Sequence, residues 1–201
     1  MEPRTGPSSY DRRMLRATVC VILALAGTAA APVPLTVRDI DGRAWTPLEP
    51  AAGEVNLLFF VSADCPISSR YSPEIDRIVA TYRAKRVQAF LVYADTTIGP
   101  AQVRANLKDF HPDSHTPAII DTAFTLTTAV GATVTPEAAI FTKTGRVYRG
   151  RIDDLYINAG QSRRAPLHHD LRETLDTVLS GRPVMQPETQ AVGCFIATKE
   201  P

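Results

Sequence analysis

Cys65 stands in the run Ser62-Ala63-Asp64-Cys65-Pro66-Ile67-Ser68, directly after the mainly apolar stretch Val55 to Ser62 (VNLLFFVS). From Pro66 to Arg86, Ile67, Tyr71, Ile75, Ile78, Val79 and Tyr82 recur near the period of about 3.6 residues that marks one face of a helix. A cysteine at such a junction sits at a helix N-terminus. There the helix dipole and unpaired N–H groups favour the thiolate over the thiol. The thiolate is the nucleophile, so the position suits covalent sulfur chemistry. The bland alternative is an inert, buried cysteine. Asp64 opposes a neighbouring thiolate only if it turns inward, and it is read as facing solvent or Arg70. Arg70 and Tyr71 fall within about two turns of Cys65 and are candidates for a substrate face, Tyr71 equally for the core.

Other residue types that do chemistry are sparse. Cys194 lies in Val192-Gly193-Cys194-Phe195-Ile196, near the end of the chain. Asp153-Asp154 reads as a turn or helix start. His111 and His115 fall in a proline-interrupted loop, and His168-His169 are adjacent and point in different directions on a helix; all four read as solvated.

The elements that must position Cys65 follow from punctuation and period. Leu35 to Trp45 reads as a small hairpin around Asp41-Gly42, and Pro47 to Gly53 as a loop. Val55 to Ser62 and Val87 to Ala94 (VQAFLVYA) read as buried strands. The helix from Pro66 carries Pro73, which should kink it. Pro100 to Phe110 reads as a helix with proline in its first turn, and Ala118 to Asp121 as a short strand. Phe124 to Val130 reads as a short helix stopped by Gly131. Ala138 to Thr142 and Arg146 to Arg151 form a hairpin through Lys143-Thr144-Gly145, and Pro166 to Leu179 a last helix. The order predicts an α/β domain: a central mixed sheet flanked by helices, with an N-terminal hairpin. Residues 182–201, with Pro183, Pro187 and Pro201, read as an extended, loosely held arm.

Composition sets outer bounds. The chain has 201 residues, 44% hydrophobic and 21% charged, with a net charge of +1. That is enough for one core without disulfide staples, and it points away from nucleic acid. Arg12, Arg13 and Arg16, the apolar run Ala17 to Ala26 and Thr28-Ala29-Ala30-Ala31 read as a secretory leader over residues 1–31. The apolar run is too short to span a bilayer; an uncleaved anchor is the alternative, and the only membrane contact implied. The domain expected to follow covers residues 32–181. Of three cysteines, Cys20 leaves with the leader, so Cys65 and Cys194 remain for a periplasmic or extracellular, oxidising compartment.

With these elements in order, the sequence resembles the thioredoxin superfamily, and within it the redoxin and peroxiredoxin-like branch. The resemblance covers roughly Leu35 to Ser180. Cys65 follows an apolar strand, and Pro66-Ile67 occupy the two positions between that family's paired cysteines. Pro73 lies eight residues after Cys65, where thioredoxins carry a helix-kinking proline. Val134-Thr135-Pro136 precedes an apolar strand and a glycine hairpin (AAIFTKTGRVYRG), which matches the family's cis-proline loop. The resemblance implies a thioredoxin-like fold, a cis Thr135-Pro136 bond facing Cys65, and a backbone edge there that pairs with an extended substrate.

One departure stands out. Ser68 occupies the place of the second cysteine. It cannot form the disulfide, but it can hydrogen-bond the thiolate. Cys65 then acts alone or with Cys194, the only other thiol left. From Ser180 the arm spans 194 − 180 = 14 residues, a reach of roughly 45 Å when extended. Gly193 permits close backbone approach, and Phe195 and Ile196 can dock on an apolar groove. An intermolecular disulfide, a metal ligand or a structural bridge are the alternative roles for Cys194.

The expectation is therefore an exported thiol–disulfide oxidoreductase. Its site is Cys65, Cys194, Ser68, Thr135 and Pro136; its partners are a protein or small-molecule disulfide and a thiol electron donor. No organic cofactor is implied, because no glycine-rich phosphate loop appears. The first alternative is a thiol peroxidase. Ser62, three before Cys65, fits that reading, with Arg146, Arg149 or Arg151 as the thiolate's cation. The family's proline seven residues before the cysteine is Leu58 here, which counts against it. The second is a copper-binding module, for which soft thiolates and imidazole are suitable ligands. A pure interaction module on the same fold is the non-enzymatic reading.

Overall fold

The computed structural model describes residues 34–197; the leader at residues 1–31 lies outside the described residues. Val37–Arg38 (β1) and Ala44–Trp45 (β2) pair antiparallel as the expected hairpin. Gly42 turns it at φ 82°, where a residue with a Cβ is strained.

Val55–Val61 (β3) is buried along its whole length. It is the middle strand of a five-stranded mixed sheet. Val87–Tyr93 (β4) runs parallel to it on one side, with Ala118–Ile120 (β5) parallel beyond. On the other side Glu137–Thr142 (β7) and Gly145–Gly150 (β8) run antiparallel, giving the order β5-β4-β3-β7-β8. Between β5 and β7 the chain forms a short helix, Thr125–Val130 (α3), and a two-residue strand, Val134–Thr135 (β6).

The apolar run of β3, broken only by Asn56, follows from its place. A strand covered on both faces needs apolar residues at both parities. Leu57, Phe59 and Val61 face Pro66–Arg83 (α1), Pro100–Phe110 (α2) and Asp170–Leu179 (α4), packing with Ile75, Ile78, Val103, Leu171 and Leu175. Leu58 and Phe60 face Leu126 and Val130 of α3, with Trp45 and Ile196 closing that layer. Trp45 sets its ring edge-on to Phe90, with centroids 5.2 Å apart. The helix α1 runs through Pro73 without ending there.

Several details correct the sequence reading. The last helix starts at Asp170, not Pro166. The Asp154 carboxylate accepts the Leu167 and His168 N–H groups at 2.6 and 3.0 Å and pairs with Arg163 at 3.3 Å, which fixes the segment ahead of α4. Burial works to raise the Asp154 carboxyl, but the two N–H bonds and Arg163 together hold it below the ordinary carboxylate range. Within the same excursion Tyr156–Asn158 (β9) and Gln161–Ser162 (β10) make a hairpin that the sequence does not announce. His111 is not solvated: it is buried, with Nδ1 2.7 Å from Asp76 Oδ1.

The arm is extended but not loose. Glu188 bridges beside Arg149, flanked by backbone bonds from Arg149 N to Pro187 O (2.9 Å) and from Thr189 N to Arg149 O (3.1 Å). Thr189 Oγ1 also accepts the Arg151 N–H at 3.0 Å and lies 2.7 Å from the Tyr148 hydroxyl. Further on, Cys194–Phe195 (β11) pairs antiparallel with β6, and Ile196 N donates to Thr133 O at 3.0 Å. Of the two apolar residues expected to dock, Ile196 is buried and Phe195 is 89% exposed. Alternation explains the difference: neighbours on a strand face opposite ways.

Candidate active site

Cys65 is the N-cap residue of α1 and is 2% exposed. Pro66 follows at the first helical position, where a missing N–H has no consequence. The remaining first-turn N–H groups have no intrahelical acceptor, which makes this end of the helix electropositive.

Thr135-Pro136 is a cis peptide bond, and the Thr135 carbonyl oxygen lies 3.1 Å from Cys65 Sγ. The register of β11 places Cys194 directly opposite Thr135. The structure joins Cys65 and Cys194 in a disulfide, with Cα atoms 6.0 Å apart and a sequence separation of 129. Cys65, Thr135, Pro136 and Cys194 therefore converge. Ser68 is buried in the first turn of α1, where its hydroxyl oxygen accepts the Ser62 N–H at 3.3 Å. In this disulfide form it braces the strand-to-helix junction.

Three buried residues support the site, of which Glu137 escapes the sequence reading. Glu137, buried directly after the cis proline, accepts the Thr133 and Val134 N–H groups at 2.8 and 3.4 Å and faces Arg149 at 3.6 Å. Its carboxylate thereby holds the loop that carries Thr135. The signal in the sequence is a charged residue opening an otherwise apolar strand. Replacing Glu137 with Ala leaves those N–H groups without an acceptor. The expected loss is about 1–3 kcal/mol of stability, read by urea denaturation.

The other two, Tyr71 and Asp153, are named in the sequence reading but not as a pair. The Tyr71 hydroxyl donates to Asp153 Oδ1 at 2.5 Å, and both residues are buried. They line a cavity of about 10 Å³ together with Pro136, Ile152 and Val192, directly beside the site. Tyr71 thus belongs to the core rather than to a substrate face. Burial first, then the bond and charge of Asp153, push the phenol of Tyr71 well up. Burial likewise holds the Asp153 carboxyl above its ordinary range, against the bonds from Tyr71 and Leu155 N. A carboxyl raised by folding contributes stability below its unfolded pKa and loses it as pH rises through the folded value. The Tyr71 hydroxyl opposes that loss by favouring the carboxylate. Tyr71→Phe is therefore expected to lower stability by about 1–3 kcal/mol near pH 7, and by less near pH 3, in urea titrations at the two pH values.

The arginines named for peroxide chemistry are engaged elsewhere. Arg146 donates to Val130 O at 2.7 Å and Glu188 at 2.8 Å. Arg149 donates to Gly131 O and faces Glu137 and Glu188. Arg151 makes a two-pronged pair with Asp170 at 2.8 and 3.0 Å. Ser62 Oγ accepts the Asp64 N–H at 3.3 Å, and Asp64 is exposed. Among the described residues, no group of three or more His, Cys, Asp or Glu is placed to hold a metal ion.

No protein-family model matches the chain, and no curated protein does either. Solved structures do. A hypothetical protein from Sinorhizobium meliloti is 22% identical with a TM-score of 0.68, over 84% of this chain and 93% of its own. An uncharacterized conserved protein from Geobacillus kaustophilus is 22% identical with a TM-score of 0.70, over 84% and 90%. A thioredoxin-like protein from Aeropyrum pernix is 16% identical with a TM-score of 0.52, over 73% and 89%. The sheet order, the flanking helices and these likenesses make the fold thioredoxin-like, as the resemblance implied.

Proposed function

We propose that this protein is a thiol–disulfide oxidoreductase in which Cys65 is the nucleophile and Cys194 the resolving thiol. The observation that carries this reading is the covalent pairing of a helix N-terminal cysteine with a cysteine held on the adjoining cis-proline loop. In the reducing direction the Cys65 thiolate attacks one sulfur of a substrate disulfide. A Cys65–substrate bond forms, and the substrate's other sulfur leaves as a thiolate that takes a proton from water. Cys194, as thiolate, then attacks Cys65 Sγ and closes the internal disulfide, releasing the second substrate thiol. The protein loses two electrons and the substrate gains them. A thiol donor reverses the internal step.

The fold favours the second attack. The arm is clamped at Thr189, and 194 − 189 = 5 residues give Cys194 a reach of roughly 17 Å from that clamp. A thiol on so short a tether has an effective concentration on the order of millimolar or higher. An exported location accords with this chemistry, because a disulfide persists in an oxidising compartment. Among the described residues, no helix is long and apolar enough to cross a membrane. The engagement of Arg146, Arg149 and Arg151 in other pairs favours disulfide exchange over peroxide reduction.

The test is the intact mass of mature protein after alkylation, with and without prior reduction. Oxidised protein should be lighter by two hydrogens and take no alkyl group; reduced protein should take one at each cysteine. Two thiols that stay free in air and in an oxidised glutathione buffer would remove Cys194 from the mechanism.

A further inference from the structure

The closed disulfide has the geometry of a trapped reaction. Cys65 is bonded through sulfur to a cysteine that sits in an extended segment, laid antiparallel on Val134-Thr135. A substrate polypeptide caught in a mixed disulfide with Cys65 would present the same bond and meet the same backbone edge. The arm therefore occupies the place of a substrate, and the residues around Cys194 record what that place accepts.

Three positions are informative. The residue before the cysteine is Gly193, where an added Cβ would collide with the Thr135 carbonyl and approach Pro136 N within 3.2 Å. Those are backbone atoms of a loop held by the Glu137 carboxylate, so they do not yield as a side chain would. The residue after the cysteine is Phe195, turned to solvent and 89% exposed. The second residue after it is Ile196, 9% exposed and part of the apolar layer with Leu126, Val130 and Ala132.

We propose that the site selects polypeptide substrates with glycine immediately before the reacting cysteine and an aliphatic residue two positions after it, and that residues 192–196 act as a built-in substrate mimic that must leave before such a polypeptide can dock. This rests on the exchange reading above. Selection follows from two contacts: a missing Cβ at the Thr135 carbonyl and a buried aliphatic side chain. The residue between them is unselected. The mimic is released when Cys65–Cys194 is reduced, because the clamp at residues 187–189 stays bound to β8 while the segment beyond it is freed.

The experiment uses full-length mature protein carrying Cys194→Ser, alone and with Ile196→Asp, which lifts the arm from its apolar seat. The probes are three peptides whose cysteine carries a thionitrobenzoate leaving group. The first has the arm's own sequence, Ala-Val-Gly-Cys-Phe-Ile-Ala. The second replaces its glycine with alanine, and the third its isoleucine with serine. Attack by the Cys65 thiolate forms the Cys65–peptide disulfide, breaks the peptide–thionitrobenzoate bond and releases a coloured thiolate. The arm peptide should react roughly tenfold faster than either altered peptide, the difference that one buried aliphatic side chain or one relieved collision makes. Ile196→Asp should raise its rate further. If the double variant fails to fold, the ranking is read in Cys194→Ser alone. Equal rates for the three peptides, with brisk reaction toward free dithiobis-nitrobenzoate, would overturn the selectivity and leave exchange standing. No reaction with the free reagent would instead remove the exchange reading itself.

Discussion

Cys65→Ser yields a folded protein whose turnover of a dithiol–disulfide pair falls at least about 10³-fold, as expected when a sole nucleophile is lost. A serine hydroxyl is not ionised at neutral pH, and its oxygen forms no counterpart of the mixed disulfide. The substitution changes one atom in a residue that is 2% exposed; it removes the Cys65–Cys194 bond but leaves the packing of α1 on β3 in place. Far-ultraviolet circular dichroism should therefore match the native protein. Activity is read as reduction of a small aromatic disulfide in the presence of a dithiol. The same variant separates an enzyme from an interaction module: a module keeps its partner, and an enzyme loses its reaction. Native activity in Cys65→Ser would sink the assignment of Cys65 as nucleophile.

Cys194→Ser, or reduction of the native protein, lowers thermal stability by as much as about 5 kcal/mol. The Cys65–Cys194 bond closes a loop spanning 129 residues of sequence, and loop-closure entropy for such a length amounts to about 5 kcal/mol in the unfolded chain. For a domain of this size that corresponds to a midpoint lower by on the order of 10 °C. The measurement is a thermal melt of oxidised and reduced native protein beside the variant. Reduced native protein and Cys194→Ser should melt together, because both lack the same cross-link. Equal midpoints for the oxidised and reduced forms would show that the bond closes no loop that the fold feels. Within the folded state the freed segment is residues 190–197. Ordering a residue costs about 1–2 kcal/mol, whereas burying Ile196 contributes about 2 kcal/mol in total and each backbone bond about 1 kcal/mol. The covalent bond is what keeps the segment seated. Reduction should therefore speed amide exchange at Ile196, whose N–H is bonded to Thr133 O, and leave Thr189 protected.

Much of this architecture is legible in the residues. Val55 to Ser62 announces a strand buried on both faces because, apart from Asn56, nothing polar interrupts it until its end. The helix Pro100–Phe110 is bounded by proline at its start, and Gly131 ends α3 in the left-handed conformation that glycine takes freely. The junction at Cys65 is legible for the same reason, since a buried strand followed by a proline-started amphipathic helix leaves one place for the cysteine. The misses share a cause. The strands β6, β9, β10 and β11 are two or three residues long, too short for any period to show. The segment ahead of α4 is held by Asp154, which accepts the Leu167 and His168 N–H groups from 13 and 14 residues away. The burial of His111 depends on Asp76, on another helix.

By itself, the sequence determined the setting of Cys65: its strand, its proline-started helix and the lack of another cysteine in that helix. These follow from local order, because period and punctuation act over a few residues. Only the tertiary structure decided that Cys194 is the partner, that the arm is clamped to β8 and strand-paired with β6, and that Glu137, Tyr71 and Asp153 support the site. Each of these rests on contacts between residues tens of positions apart in the chain. Such contacts form only when the sheet has brought its edges together.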